Sequence, residues 1–362
     1  MASQIIHALE GFAALADASP DFAKTLRETT LEWFYLGCQG PDIFYHSQRT
    51  APYGVYYGGL LHRSKFREAA IALLGVKLQS NLQPDNPLHA FILGFLTHGW
   101  IDSLTHPYVV YHAGWYEPAT PESAEYRHAH TFLERILDSL YWEETQGQSV
   151  AAFEQERSFI PSGAFSVIPG AAGTAGPESR VEFSTVLESV MQALITALSE
   201  VYGPRFLRFA DPAARMRNAF RDAFHVFTKT DPSGLPKGER AARLQHLPEA
   251  AKAMLFPERP DPRVDWENKE HRVWRHPCLP ERSLNGSWLE LLEEARHRNT
   301  ELLSAALAVQ KAGKGSESKQ QQLVTLLPAG TLNVGNAEGR QEKAVFSDPL
   351  PVHKELLRLA SS

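Results

Sequence analysis

The sequence predicts an all-α protein, a multi-helix bundle followed by a mostly helical and irregular C-terminal extension. Apolar residues recur three and four positions apart through most of the chain, as they do along the buried face of an amphipathic helix. Segments that alternate apolar and polar residues, which would indicate β-strands, are scarce. The candidate helices cover residues 4–17, 21–36, 65–79, 87–106, 123–146, 182–202, 211–227, 246–255 and 286–312.

The helix over residues 87–106 has the clearest boundaries. Asn86 can accept hydrogen bonds from the first free N–H groups of the helix, and Pro87 suits the first turn, where its missing N–H costs nothing. Pro107 cannot donate the next helical hydrogen bond and disfavours helical geometry in the residue before it. We therefore expect this helix to end at His106.

A boundary near Thr230 divides the chain into two parts. Residues 1–230 are expected to form a helical domain, and residues 231–362 an extension, partly helical, that packs on it. A stretch rich in proline and charge follows the boundary, and the later segment KAGKGSESKQQQ predicts disorder or a long connection. The loop over residues 163–179 is rich in Gly, Ala and Pro and is either a lid or a plain surface connection.

Two of the helices carry five potential metal ligands. His98, Asp102 and His106 are spaced four residues apart, and His130 and Glu134 repeat that spacing. Positions four apart lie above one another on one helix face. A single pair of this kind is more often a plain ion pair. Five such residues in strongly apolar segments indicate a metal site instead, because unpaired charge is costly to bury, and two facing helices could hold more than one cation.

The ligand types favour zinc. Imidazoles and carboxylates without a nearby thiolate suit zinc first, and manganese or iron next. Structural zinc sites are usually closed and often contain thiolates, whereas a carboxylate shared between ions leaves positions open for a substrate. His128 competes with His130 as a ligand, but only His130 stands four residues before Glu134.

Three further candidates precede the two helices. Asp42 follows Gly40 and Pro41, which break a predicted helix, and a loop just beyond a helix end is a common position for reactive groups. His62 follows a glycine-containing segment, and His7 lies on the first amphipathic helix. Each of the three alone is more often structural, but with the five helical candidates they form one set.

The order and type of these eight residues resemble the ligands of the zinc-dependent phospholipase C family and of the related zinc single-strand nucleases. The resemblance rests on His7, GPD with Asp42, His62, HxxxDxxxHP with His98, Asp102 and His106, and HxxxE with His130 and Glu134. It covers about the first two thirds of the chain. It implies the helical bundle of that family and up to three zinc ions.

The resemblance also implies which residues would share an ion. In the family two zinc ions form a pair bridged by the aspartate that matches Asp102. One ion of the pair is also bound by the counterparts of Asp42, His62 and His98. The other is bound by the counterpart of His7 with the amine and carbonyl of the N-terminus. The third zinc is bound by the counterparts of His106, His130 and Glu134.

The N-terminus departs from that pattern. Secreted relatives begin with a tryptophan that is exposed by signal-peptide cleavage, whereas this chain opens with MASQIIH. Removal of Met1, which a small second residue favours, would leave the amine of Ala2 five residues before His7. We hypothesise that Ala2 completes the zinc site of His7, and a retained Met1 could take its place.

These assignments imply hydrolysis of a small-molecule or lipid phosphate ester. Water on zinc ionises near neutral pH and would attack phosphorus, while the ions neutralise the phosphate oxygens. Asp42 is the candidate catalytic residue, because a carboxylate at the edge of the cluster can orient or deprotonate that water as well as bind zinc. The alternatives are a single-strand nuclease-like phosphodiesterase, and a helical protein that retains the metals for binding, stability or non-phosphate chemistry.

Composition agrees with a globular enzyme. The 362 residues are 43% hydrophobic and 22% charged, which is ordinary for a soluble domain. The net charge of −6 provides no general attraction to nucleic acid, which is therefore the less favoured substrate. Cys38 and Cys278 predict reduced thiols. No transmembrane stretch or signal peptide is recognisable, so we expect a soluble cytoplasmic protein.

Aromatic and histidine residues crowd the ligand segments. The aromatic residues are either core or the wall of a substrate pocket, and three histidines could orient the ligand rings through hydrogen bonds. The aromatic group is Phe44, Tyr45, Tyr56, Tyr57, Trp100, Tyr108, Tyr111 and Trp115; the histidines are His46, His112 and His128.

Overall fold

The computed structural model describes residues 3–75, 83–168, 180–234, 247–279, 281–311, 317–334 and 344–361. Most of these residues are helical, which confirms the predicted all-α class. The helices are α1 (Gln4–Ala18), α2 (Pro20–Thr29), α3 (Leu31–Cys38), α4 (Val55–Arg63), α5 (Phe66–Gly75), α6 (Pro87–Ala113), α7 (Ala129–Gln146), α8 (Gln155–Phe159), α9 (Thr185–Tyr202), α10 (Pro212–Thr230), α11 (Glu249–Lys252), α12 (Trp288–Lys311), α13 (Glu317–Leu326) and α14 (Val352–Ser361).

Short 3₁₀ helices and two strand pairs complete the described elements. The 3₁₀ helices cover Gly40–His46, Pro121–Tyr126, Val150–Ala152 and Gly203–Arg208. Strand β1 (Phe165–Ile168) pairs antiparallel with β2 (Arg180–Phe183), and β3 (Trp274–Arg275) pairs antiparallel with β4 (Ser283–Leu284). Most of the loop considered as a lid, residues 169–179, lies outside the described residues.

The central helix α6 begins where the sequence predicted and ends later. Asn86 caps it, since its side-chain oxygen accepts hydrogen bonds from the backbone N–H groups of Leu88 and His89 at 3.1 and 3.2 Å. The prediction that Pro107 ends the helix was wrong, because α6 continues to Ala113. The fixed φ of proline suits helical backbone, and burial of Tyr108, Val109 and Tyr111 offsets the hydrogen bond that proline cannot donate.

Other boundaries also differ from the predictions. The helix predicted over 21–36 is two helices, because Thr30 has an extended φ of −140° and its hydroxyl donates to the carbonyl of Pro84 at 2.6 Å. The helix predicted over 123–146 begins only at Ala129, and that over 246–255 is the single turn α11. The segment KAGKGSESKQQQ is helical from Glu317 onward, where Leu323 and Leu327 are buried in the core.

Helix α6 lies at the centre of the packing. It packs against α3, α1, α5 and α7, and α12 from the C-terminal part lies along both α6 and α1. The side-chain amide of Asn299 on α12 donates to the carbonyl of Thr97 on α6 at 2.9 Å.

No helix of the described residues combines the length and apolarity that crossing a bilayer requires, and neither cysteine forms a disulfide.

Two glycines allow α3 and α6 to touch backbone to backbone. A Cβ atom on Gly94 would lie 2.1 Å from the carbonyl oxygen of Phe34, and one on Gly37 would lie 2.1 Å from that of Phe91. Both distances are far inside van der Waals contact, so no larger residue fits without separating the helices. The contact lies one helical turn before His98 on α6.

We expect Gly94→Ala to lower the free energy of unfolding by about 1–3 kcal/mol or more, since backbone atoms must move apart. The displacement of α6 should also lower the amount of zinc that the protein binds. Denaturant titration and metal analysis measure the two effects.

Gly59→Ala is the matched control, because only Arg63 Cζ, at 3.9 Å, lies near the added Cβ atom. Alanine favours helix over glycine by about 1 kcal/mol, so this change should leave stability unchanged or raise it slightly. Equal stability of the two variants would contradict the proposed backbone contact.

Candidate metal centre

The carboxylate of Asp102 lies at the centre of four imidazole rings. Its oxygens are 2.9 Å from Nε2 of His98, 3.1 Å from Nε2 of His7, 3.2 Å from Nε2 of His62 and 3.6 Å from Nε2 of His106. The rings come from α1, α4 and α6, and all of these side chains are buried. A carboxylate and several nitrogen donors this close together could hold a metal ion.

Two more carboxylates extend the cluster. Oδ1 of Asp42 lies 3.1 Å from Nε2 of His62. Oε1 of Glu134 lies 3.4 Å from Nε2 of His106 and 3.3 Å from Nε2 of His130. The side chain of His130 is one-third exposed, so this end of the cluster reaches solvent.

The structure thus brings together all eight side chains that were predicted from sequence. Within each of three groups the potential ligand atoms lie no more than 4.8 Å apart. The groups are His7, His98 and Asp102; Asp42, His62 and His98; and His106, His130 and Glu134. The third group is the one implied by the family resemblance, and the first two share His98.

The remaining candidates are placed differently. Ala2, proposed to complete the site of His7, lies outside the described residues. His128 precedes the first turn of α7 and belongs to none of the three groups. Asp42 lies in the 3₁₀ helix Gly40–His46 rather than in an irregular loop.

Close approach of the backbone makes room for the ring of His98. Gly40 has a φ of +52°, a conformation that glycine adopts readily and other residues rarely, and a Cβ atom there would lie 2.4 Å from Cγ of His98. The preceding glycine contact between α3 and α6 brings the carbonyl of Cys38 to 3.1 Å from Nδ1 of the same ring.

Backbone carbonyls orient three of the rings. Nδ1 of His62 lies 2.9 Å from the carbonyl oxygen of Gly58, and Nδ1 of His106 lies 2.7 Å from that of Leu332, as Nδ1 of His98 lies near that of Cys38. A proton held on Nδ1 leaves Nε2 with its lone pair for a metal ion. In these three hydrogen bonds the partners are carbonyls, and the histidines proposed for this role from sequence are not involved.

The donor atoms fit zinc. Nε2 of His62, His98 and His106 and both carboxylate oxygens of Asp102 are buried and have no hydrogen-bond partner of suitable geometry among the described residues. Buried polar atoms without partners are rare unless a ligand satisfies them. Burial raises the pKa of the Cys38 thiol to about 12, so this neighbour supplies no thiolate, and the ligands are nitrogen and oxygen only.

The electrostatics of the cluster also favour cations. Burial alone would raise the pKa of Asp42 and Asp102, but both pKa values lie below their usual range, for Asp102 because of His106 and His98 and for Asp42 in part because of His62. Burial likewise opposes ionisation of Glu134, yet His130 and His106 lower its pKa to about 2. Three buried carboxylates therefore carry negative charge at neutral pH, which requires positive charge nearby.

Protonated histidines can also supply the positive charge that the carboxylates require. Burial would lower the pKa of His62, but the adjacent carboxylates of Asp102 and Asp42 raise it to about 9. The pKa of His106 is also raised, by Asp102 and Glu134, against the effect of its burial. The pKa of His7 is lowered, by burial first and by the charge of His98 second. Binding of zinc must therefore displace protons from part of the cluster.

A cavity of about 410 Å³ leads to the cluster. Its walls include the ligand candidates His62, His106 and His130 together with Tyr45 and Val110. Tyr45 is the one member of the aromatic group named from sequence that lines this cavity, and most of the others are buried or partly buried in the core. The cavity makes the metal groups accessible to a small molecule.

Sequence reasoning missed Asp138, which attaches the first helix to α7. One carboxylate oxygen of Asp138 accepts the backbone N–H of Gln4 at 2.8 Å, and the other accepts that of Ile6 at 3.0 Å. Arg135 donates to the same carboxylate at 3.0 Å, and both charged side chains are fully buried. Asp138 satisfies N–H groups that the first turn of a helix cannot bond internally, and so positions His7.

Asp138 follows Glu134 by one helical turn, and that spacing was the only signal available. It extends the ligand stripe of α7 to HxxxExxxD. A carboxylate at this spacing looks like a further ligand, but its actual partners are the neighbouring Arg135 and two backbone N–H groups more than 130 residues away in sequence.

A family model agrees with this geometry. Residues 3–165 match the model of the zinc dependent phospholipase C family, which confirms the resemblance over a shorter part of the chain than the motifs suggested. Neither a curated protein nor a solved structure matches the chain.

We expect Asp138→Asn to lower the free energy of unfolding by about 3 kcal/mol, because it removes the carboxylate that accepts a hydrogen bond from the buried guanidinium of Arg135. Zinc should also bind more weakly, since the first turn of α1 loses an acceptor. Denaturant titration and competition with a chromophoric chelator measure these changes.

Glu154→Gln is the control, since Glu154 forms an exposed pair with Arg157 and should contribute less than about 1 kcal/mol. If Asp138→Asn behaved like this control, Asp138 would not hold the first helix in place.

Proposed function

We propose that this chain, whose residues 3–165 match the zinc dependent phospholipase C family, is a zinc-dependent hydrolase of phosphoric esters. The proposal depends chiefly on one observation, the Asp102 carboxylate within 3.6 Å of four imidazole rings. His7, Asp42, His62, His98, Asp102, His106, His130 and Glu134 would hold up to three zinc ions. We propose Ala2 as a further ligand from the N-terminus.

Access favours catalysis over a structural role for the metals. Structural zinc sites are closed, four-coordinate and often built with thiolates. Here the ligands are imidazoles and carboxylates, and three of them line a cavity open to solvent. A substrate phosphate can therefore reach the donor groups.

Bound zinc supplies Lewis acidity and a water molecule that ionises near neutral pH. The protein positions both reactants and accepts a proton. Asp42 is our candidate for the base, because its carboxylate is ionised at neutral pH and lies beside His62, which lines the cavity. It would orient the attacking water and take up its proton.

The proposed reaction is an in-line displacement at phosphorus. The oxygen of the water forms a bond to phosphorus while the bond between phosphorus and the ester oxygen breaks. The proton of the water goes to Asp42, and the ester oxygen leaves as an alcohol after protonation by solvent.

The substrate is proposed to be a lipid or small-molecule phosphate ester. The net charge of −6 disfavours a long polyanion. Purified, zinc-loaded protein should hydrolyse bis(p-nitrophenyl) phosphate, and dipicolinic acid should abolish the activity until zinc is restored. Parallel assays with phosphatidylcholine, p-nitrophenyl phosphate and single-stranded DNA separate the substrate classes, and activity on DNA alone would establish the nuclease-like alternative.

We expect Asp102→Asn to lower kcat/KM on bis(p-nitrophenyl) phosphate by more than about 100-fold. Loss of a group that only orients a metal ligand lowers activity by about 10- to 100-fold, and Asp102 is proposed to be a ligand itself. The bound zinc, counted by mass spectrometry, should fall in the same variant because the amide is neutral.

Asp21→Asn provides the comparison, since Asp21 is an exposed residue of α2 and its replacement should change neither quantity. Full zinc content and activity in Asp102→Asn would remove the bridging role and with it the proposed mechanism.

A further inference from the structure

A segment of the C-terminal part is bonded to two of the ligand histidines. The backbone N–H of Leu332 donates to the carbonyl oxygen of His62 at 2.8 Å. The carbonyl oxygen of Leu332 accepts from Nδ1 of His106 at 2.7 Å. Leu332 is buried, so both hydrogen bonds are shielded from water and hold the two ligand-bearing helices α4 and α6 at one main-chain group.

Further hydrogen bonds anchor the chain that leads to this residue. The guanidinium of Arg67 donates to the carbonyl of Leu327 at 3.1 and 2.6 Å. The indole N–H of Trp100, which lies between two ligands on α6, donates to the carbonyl of Leu326 at 2.7 Å. The C-terminal segment is therefore attached at several points to the part of the chain that carries the metal ligands.

This segment lies outside the part of the chain that matches the family. The match ends at residue 165, whereas the anchored segment covers residues 326–334. The family match therefore does not account for the contacts that this segment makes with the ligand histidines. Asn333 and Val334, the two residues that follow Leu332, line the cavity in front of the metal groups.

The cavity offers neutral hydrogen-bonding groups. Besides the ligand histidines, the polar side chains that line it are the hydroxyl of Tyr45 and the amides of Gln48 and Asn333. None of the described residues that line it is Asp, Glu, Lys or Arg. Amides and hydroxyls both donate and accept hydrogen bonds, so they suit a group that carries hydroxyls.

A quaternary ammonium group would find a poorer environment. Such cations are recognised by several aromatic faces or by carboxylates. Among the described residues that line the cavity, Tyr45 alone is Phe, Tyr or Trp, and its ring centroid lies 4.9 Å from that of His62, which leaves less of its surface for a ligand. A hydroxylated group next to the phosphate therefore fits these walls better than choline.

We infer that residues 331–334 complete the active site and select its substrate. Leu332 positions His62 and His106 through its main chain. Asn333 is a specificity-determining residue that hydrogen-bonds a neutral, hydroxylated group on the phosphate of the substrate. This inference rests on the proposed phosphoric-ester hydrolysis.

Two synthetic diesters with the same leaving group test the specificity. We expect the wild-type protein to prefer p-nitrophenyl phosphoglycerol over p-nitrophenyl phosphocholine by about tenfold in kcat/KM, as the loss of a hydrogen bond would predict. Asn333→Asp adds a carboxylate that attracts choline, and should shift the ratio toward phosphocholine by about tenfold or more. Asn285→Asp makes the same chemical change at an exposed position outside the cavity and should leave the ratio unchanged.

Zinc affinity tests the positioning role independently of activity. Leu332→Pro removes the N–H that bonds to His62, and should weaken zinc binding by about 10- to 100-fold. Leu332→Ile retains both main-chain groups and should bind zinc as the wild type does. Equal zinc affinity in a folded Leu332→Pro protein would overturn the positioning role, and the Asn333 variants test the segment even if that protein does not fold.

The outcomes separate this inference from the proposed function. In one outcome the wild type hydrolyses both diesters with the same ratio of kcat/KM values as Asn333→Asp and Asn285→Asp. That result would overturn the inference and leave the proposed function standing. A wild type that hydrolyses no phosphoric ester would refute the function. In that case the dissociation constants of glycerol phosphate and phosphocholine, measured by calorimetry on zinc-loaded protein, replace the rates, and a lack of any dependence on Asn333 would overturn the inference.

Discussion

The buried negative charge of Asp102 constrains the rest of the structure. An ionised carboxylate away from water costs several kcal/mol unless cations or hydrogen bonds compensate for it. Here its nearest neighbours are four imidazole nitrogens from three helices. The helices can close around this charge only if the cluster contains protons or metal ions, which couples metal binding to the stability of the fold.

Packing then determines how well the ligands are placed. The glycine contact between α3 and α6 sets the distance from His98 to the carbonyl that orients it. Asp138 attaches the first turn of α1 to α7, which carries His130 and Glu134 of the third metal group. Both features act on ligands without contacting a metal, and both depend on atoms that tolerate little displacement. Ligands held in this way lose little freedom when an ion binds.

The C-terminal part cannot be separated from the site. Helix α12 packs along α6 and α1, and Leu332 is bonded to two ligand histidines. The proposed division at Thr230 follows the end of α10, yet the later residues contribute walls and hydrogen bonds to the same centre. Asn333 and Val334 of this part line the cavity in front of the metal groups, where a side chain can influence which substrate binds.

The sequence by itself determined the helical class and the two ligand stripes, because the period of a helix places His98, Asp102 and His106 on one face. An amphipathic helix, a helix end and a glycine-containing segment also singled out His7, Asp42 and His62 as candidates, and the family resemblance implied how the eight residues would share zinc ions. Only the tertiary structure decided that α6 passes through Pro107, that Asp138 caps a distant helix, and that Leu332 and Asn333 reach the site. These contacts join residues far apart in the chain, and several use backbone groups, which every residue possesses and no residue type reveals.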